Sequence, residues 1–356
     1  MDLSRRALIA GLSAACLPLR AGATEDAPAF VAACRRLDGS FAAVVLSGEG
    51  DVLLSKTLHG RGHDAAIRKN PPTAVMFARR PGTFALVIEL DGSGRTTAFA
   101  PPPSRRFAGH GFFSPDGKTL FATENDFEGE RGVIGLYDAT DGYRRVGEFS
   151  TYGMGPHEAL LLSDGRTIAV ANGGILTHPD YPRMKLNIPT MAPSLALIDV
   201  RNGALLGKAA LGDEYHQVSI RHMAEAGSGE LWFGGQYEGP KTDTPPLVGT
   251  FDADRGLRLV SESERLTAAM NHYVGSVAAS LDGGTVLVTS PRGGLVAEWD
   301  VAARSLRKTV SLVDACGAAP AEDGFAVTTG TGVFLRDGAM LGRENVAWDN
   351  HLAGFS

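Results

Sequence analysis

From about residue 29 onward, apolar positions fall in short runs rather than at helical spacing. Runs of Val, Leu, Ile, Phe and Thr alternate with Asp-Gly, Asn-Gly and Gly-Gly turns, the pattern of many short antiparallel strands. The runs recur as a unit. Gly109-His110 through Ser114-Pro115-Asp116-Gly117 to Thr123 leads into Gly132–Asp138 and Arg144–Phe149. Pro156–Val170, Ser194–Val200 and Leu205–Ala210 repeat the plan, as do Gly275–Thr289, Gly294–Asp300 and Leu306–Val310. Each unit reads as an inner strand, a Ser-x-Asp-Gly hairpin turn, a second strand, a third ending in Asp and an outer fourth. Weaker copies begin near His63, Arg221 and Cys316, with turns expected at Gly82-Thr83, Gly227-Ser228-Gly229 and Asp323-Gly324.

Six units and two loose ends result. Residues 29–35, 41–47 and 52–58 read as three strands with no inner partner, and Val346–His351 reads as an inner strand with nothing after it. Joining them completes a further blade from both termini and hides sheet edges. The expectation is an all-β, seven-bladed β-propeller with one blade closed by strands from both ends. A large sandwich would not give a repeat of about 40–50 residues.

The segment before the first strand differs. Ser4-Arg5-Arg6-Ala7-Leu8-Ile9 opens an apolar stretch, Ala7 to Leu19, too short to span a bilayer as a mature helix. Paired arginines there form a twin-arginine export pattern, and Ala21-Gly22-Ala23 supplies the small residues of a cleavage site. The expected division is a signal peptide at 1–23 and a periplasmic propeller domain at 24–356. Ser13 stands where a lipobox would have Leu, which argues against a lipid anchor at Cys16. That export route carries folded cargo, often with a cofactor aboard.

Composition narrows the function classes. The formal charge is -6; Arg5, Arg6 and Arg20 against Asp2 give residues 1–23 a charge of +2, so the remainder carries -8. With no basic cluster, nucleic acid is excluded as a partner. No second apolar run has membrane length. Beyond the signal the cysteines are Cys34 and Cys316, without the paired spacing of a cysteine metal site. They can bridge only if closure puts them in adjoining blades.

The histidines are the main chemical candidates. His63, His110, His157, His222, His272 and His351 all fall at or just before the inner strand of a unit. Inner strands line a propeller's channel, so these residues would converge on one mouth. A histidine there either clips the backbone of the next blade or joins a ligand set. The recurrence points to a transition metal (iron, copper or zinc), which imidazole nitrogens suit, or to an anionic ligand. Glu158 and Asp349 are candidates for orienting an imidazole, for direct ligation, or for general-base catalysis. Arg221 and Arg292, with Asn271 and Asn350, suit a bound carboxylate or phosphate. Glu124, Asn125, Asp126, Asn172 and Gln236 follow second strands and either line the same face or serve as turns. No Gly-x-Ser-x-Gly elbow, His-Glu-x-x-His helix, P-loop or dinucleotide fingerprint occurs. The proline-rich stretch 175–193 interrupts one unit, as a solvated loop or a lid.

The motifs GHGFFSPDG, TENDFE, GMGPHE, RHM, NHYVGS, SPRGG and WDNHL, with the twin-arginine start, together resemble an uncharacterised family of exported seven-bladed propellers found beside imelysin-like iron-uptake proteins. The likeness extends over the whole mature chain. It implies a periplasmic binding or accessory protein in iron or metal acquisition, with imelysin-like proteins as partners, and carries over no catalytic residue. YVTN-like, quinoprotein-dehydrogenase-like and lactonase-like propellers share the fold alone. A metal-dependent lactonase-like hydrolase or oxidoreductase is the alternative function.

Overall fold

A computed structural model describes residues 27–181, 184–260 and 263–355. The expected signal peptide, including Arg5, Arg6 and Cys16, lies outside the described residues. Twenty-eight strands among the described residues form seven four-stranded antiparallel sheets. The inner strands of blades one to seven are Gly62–Arg68, Arg105–Phe113, Pro156–Leu161, Val218–Glu225, Ser276–Ala279, Ala315–Ala321 and Val346–Gly354. Each touches the next, and Val346–Gly354 touches both Ala315–Ala321 and Gly62–Arg68, so the ring closes.

The turn sequences explain why these runs pair. In blade two the Asp116 carboxylate accepts the Ser114 hydroxyl at 2.6 Å and the Lys118 N–H at 3.1 Å, while Thr119 N–H bonds Ser114 Oγ at 2.9 Å. Gly117 takes the positive φ of 68° that this turn needs. Blade five repeats the arrangement with Ser280, Asp282 and Gly283. Blade one departs from expectation. Its first hairpin turn is Lys69–Pro72, and Gly82-Thr83 follows the second strand instead. Gly82 carbonyl accepts from Phe107 N–H at 2.9 Å, and a Cβ there would lie 1.9 Å from Phe107 O. That glycine serves blade-to-blade contact.

The core lies between the blades. Second strands such as Thr73–Ala78 and Thr167–Asn172 are buried along their whole length, whereas outer strands such as Ser305–Ser311 are exposed. Trp232 and Trp299 fill the layer between blades four and five, and Phe30, Phe334 and Trp348 that between six and seven.

The terminal closure forms as expected. Phe30–Arg36 pairs with Phe41–Leu46 on one side and Val346–Gly354 on the other. Cys34 and Cys316 fall in adjoining blades, but both are free and buried, so no disulfide joins the ends. Cys34 packs into the apolar layer with Trp348, and Cys316 Sγ lies 3.7 Å from Asp314 Oδ1. Burial pushes the Cys34 thiol up to about 11 and that of Cys316 higher still.

A candidate metal centre in the central channel

Six of the seven inner strands lose register with their neighbour, and a histidine stands at five of the six breaks. The shifts lie at Gly62/Ala65, Phe107/Gly111, Pro156/Glu158, Ile220/His222, Ala315/Ala318 and Ala32/Cys34, the last opposite Asp349–His351. Ser276–Ala279 pairs regularly. A bulge inserts residues into one strand and re-aims a side chain. Here the bulges turn five imidazoles into the channel, one from each of blades one, two, three, four and seven.

His63, His110, His157, His222 and His351 form one cluster. Ring centroids lie 4.4 Å apart for His63 and His351, 4.6 Å for His157 and His222, 4.6 Å for His222 and His351, and 4.7 Å for His110 and His351. His110 stands 4.9 Å from His63 and 5.0 Å from His157. Two triads, His63-His110-His157 and His110-His222-His351, each offer ring nitrogens within 4.8 Å of one another. Metal–nitrogen distances near 2.0–2.1 Å put the donors of a tetrahedral site about 3.4 Å apart, so these rings would close in slightly around an ion. Blades five and six present small residues at this level, Ser276 and Gly317. A Cβ on Gly317 would lie 2.6 Å from the His351 backbone.

Carboxylates stand behind three of the rings, each crossing from the preceding blade. Asp349 of blade seven approaches His63 Nδ1 at 3.6 Å, Asp64 of blade one meets His110 Nδ1 at 2.9 Å, and Glu158 of blade three lies 3.4 Å from His222 Nδ1. The hydrogen bond from His110 Nδ1 to Asp64 fixes that ring's tautomer and leaves its Nε2 for a metal. Asp349 is itself held by Arg61 and by the Asn350 N–H, and Glu158 accepts the Met223 N–H at 2.9 Å. Both carboxylates are thus engaged as orienting groups.

The electrostatics follow from this asymmetry. Burial pushes His63 down to about 4 against the pull of Asp349. His157 and His351, with no carboxylate behind them, fall furthest below the ordinary imidazole value, through burial and then the neighbouring rings and arginines. Burial also lowers His222, despite Glu158. His110 is the exception: burial disfavours its charged form, and the Asp64 carboxylate outweighs that and raises it. Burial opposes ionisation of Asp349, yet His63 and Arg61 hold it down to about 2. His110 Nε2, His157 Nδ1 and His351 Nε2 have no partner from the protein, whereas His63 Nδ1 and His222 Nδ1 make no hydrogen bond but face the Asp349 and Glu158 carboxylates.

Other sequence candidates fall elsewhere. His272 is not brought to the cluster. It sits in the turn after the helix Glu264–Ala269, packs on Tyr237, and its Nε2 bonds Asp243 O at 2.7 Å. Asn271 is exposed in the same turn. Asn350 donates to the Tyr273 hydroxyl at 2.9 Å, and the Arg292 guanidinium lies 4.3 Å from the Tyr273 ring centre. Glu124 is buried inside blade two against Tyr137 and Arg145, and Asp126 pairs with Arg105 and Arg131. Asn172 donates to Thr151 O and Gln236 to Val274 O. Asn125 and Arg221 do line the channel mouth. From the 175–193 stretch, Ile175 and Thr177 line that mouth, Ile175 and Met191 are buried, and Asn187 accepts from Leu176 N–H and donates to Gly174 O. Asp64 was the group that sequence reading passed over. It follows His63 as Glu158 follows His157, and that shared dipeptide was the available signal.

Fold and site together define a β-propeller whose channel is lined by histidines from five blades. Residues 56–355 match the family described as "Protein of unknown function (DUF1513)", and the chain belongs to that family. No curated protein matches it. Among solved structures, hydrazine synthase of Kuenenia stuttgartiensis is similar at a TM-score of 0.60 and 13% identity, over 82% of this chain and 86% of that one. The β-propeller domain of Cps50 (Swd1) from Myceliophteria thermophila matches at a TM-score of 0.58 and 12% identity, over 90% and 99%. Such identities speak for the fold alone.

Proposed function

We propose that the protein binds a transition metal ion in its channel, held by a subset of His63, His110, His157, His222 and His351. The observation that carries this reading is the convergence of five imidazoles, four of them buried and His157 half-buried, with His110 Nε2, His157 Nδ1 and His351 Nε2 left without any protein partner. Leaving a buried polar atom unpaired costs about 1–3 kcal/mol; a bound cation offsets that for every ring it takes. The ligands must be neutral to bind, and burial keeps four of the rings in that form. Asp64, Glu158 and Asp349 would orient rings and supply the negative charge a divalent ion needs nearby. An all-imidazole set suits zinc, copper or iron better than magnesium or calcium. On this reading the chain serves metal acquisition as a binding or accessory protein in the periplasm, next to imelysin-like proteins. The family resemblance supports that role and address.

The test is metal analysis of the purified protein after loading with zinc, copper or ferrous iron, beside a His110→Ala/His157→Ala/His222→Ala variant of verified fold. The wild type is expected to retain bound metal through desalting and the variant to lose it. Equal retention by both, or none by the wild type, contradicts the reading.

A further inference from the structure

The mouth above the imidazoles carries cations that the metal reading does not use. Arg221, beside His222 on the same bulge, is 5% exposed. Its Nε has no hydrogen-bond partner, and the carboxylate paired with it, Glu238, stays 3.6 Å away and is already bound by Lys185. Arg80 lies on the same wall, and its charge acts on Arg221 directly. A guanidinium is cationic at neutral pH, so two positive charges share this wall. A buried guanidinium sharing one distant carboxylate with a lysine is poorly compensated.

The space beside it has two parts. A narrow throat of about 20 Å³ is lined by Arg221, Arg80, His157, Ile175 and Thr177. That is room for about one water molecule or a group of similar size. Sharing Arg80, Asn125 and Thr177 with it is a vestibule of about 250 Å³ bounded also by Pro81, Arg106, Phe127, His178 and Pro179. The Arg106 guanidinium stacks 5.0 Å from the Phe127 ring centre, and His178 meets that ring edge-on at 5.3 Å. The outer part is therefore aromatic and proline-walled, whereas the throat is cationic.

We infer that this vestibule binds a small organic carboxylate, with its carboxylate at the throat on Arg221 and Arg80 and its apolar body against Phe127 and the two prolines. A guanidinium fork matches a carboxylate's two oxygens, and the apolar wall favours an organic anion over bare phosphate. The inference deepens the proposed function and rests on it only for the ligand's reach towards the imidazoles. His157, shared by the throat and the cluster, brings the carboxylate next to the metal position. Thr177, His178 and Pro179 form the outer wall.

Calorimetric titration with benzoate and with inorganic phosphate, on metal-loaded and chelator-treated protein, tests this. Benzoate is expected to bind saturably in both forms, at least about tenfold tighter than phosphate. Arg221→Met and the rim variant Arg80→Gln should each weaken it at least about tenfold, as loss of a charged hydrogen bond predicts, with metal content unchanged. Arg80 is exposed, so its variant tests the site even if the Arg221 variant misfolds. No saturable benzoate binding, phosphate binding as tightly, or an unaffected Arg80→Gln variant overturns the inference. A wild type that holds no metal yet binds benzoate supports this site and removes the metal reading alone.

Discussion

Asp64, Glu158 and Asp349 repeat one arrangement: a carboxylate on one blade steadies the imidazole of the next. Replacing Asp64 with Asn keeps the size of the side chain but removes the charge that holds His110. Loss of such a partner weakens metal affinity by about 10–100-fold, so Asp64→Asn should show that drop in a competition titration while its circular dichroism stays native. An unchanged affinity would mean that His110 binds nothing. The rings also set the acid response. His63, His157, His222 and His351 have lowered values when folded, so the unfolded chain takes up protons first as pH falls. Their contribution is full above about 6.5 and is lost as pH drops from there towards 4, at up to about 1.4 kcal/mol per pH unit for each ring. His110 runs the other way, since its raised value favours the folded state at low pH, but it is one ring against four. Denaturant melts of metal-free protein should therefore show stability falling between pH 6.5 and 4, and a flat profile would contradict the buried neutral rings.

At the scale of the element, what could be read from sequence depended on local turn chemistry. Blades two, three and five carry an Asp-Gly turn after the inner strand, and their strands fall where the pattern places them. Blade one turns through Lys69-Asn70-Pro71-Pro72, which lacks that signal, so Gly82-Thr83 stood in for it wrongly. His272 misled for a related reason. It precedes the inner strand of blade five by several residues, behind a helical turn, and that strand has no bulge to aim a side chain inward. Bulges depend on how two strands settle against each other, and no residue type marks them. The five histidines could be found, but their convergence could not be measured, nor could the pairing of Asp64 with His110. Packing between blades is easier to test. Trp299 is fully buried between blades four and five, and Trp299→Ala should destabilise the fold by about 3–5 kcal/mol in a denaturant melt. A loss under about 1 kcal/mol would place that side chain outside a tightly packed layer.

The whole molecule depends on a closure that involves its last strand. Val346–Gly354 completes blade seven, touches blades six and one, and carries both His351 and Asp349. A chain ending at Asn345 loses the ring's closure together with one imidazole and the partner of a second. It should lose cooperative thermal unfolding, not metal affinity alone; a cooperative transition in the shortened chain would show that six blades suffice. In the intact ring, one mouth gathers five imidazoles, three orienting carboxylates and a cationic throat. On the proposed reading the imidazoles hold a metal there. Anomalous diffraction from metal-loaded crystals, recorded on both sides of the metal's absorption edge, tests it most directly. A peak is expected on the channel axis, about 2.0–2.2 Å from nitrogens of at least three of His63, His110, His157, His222 and His351. No peak in the channel, or one only at the outlying His178 or His272, would contradict it.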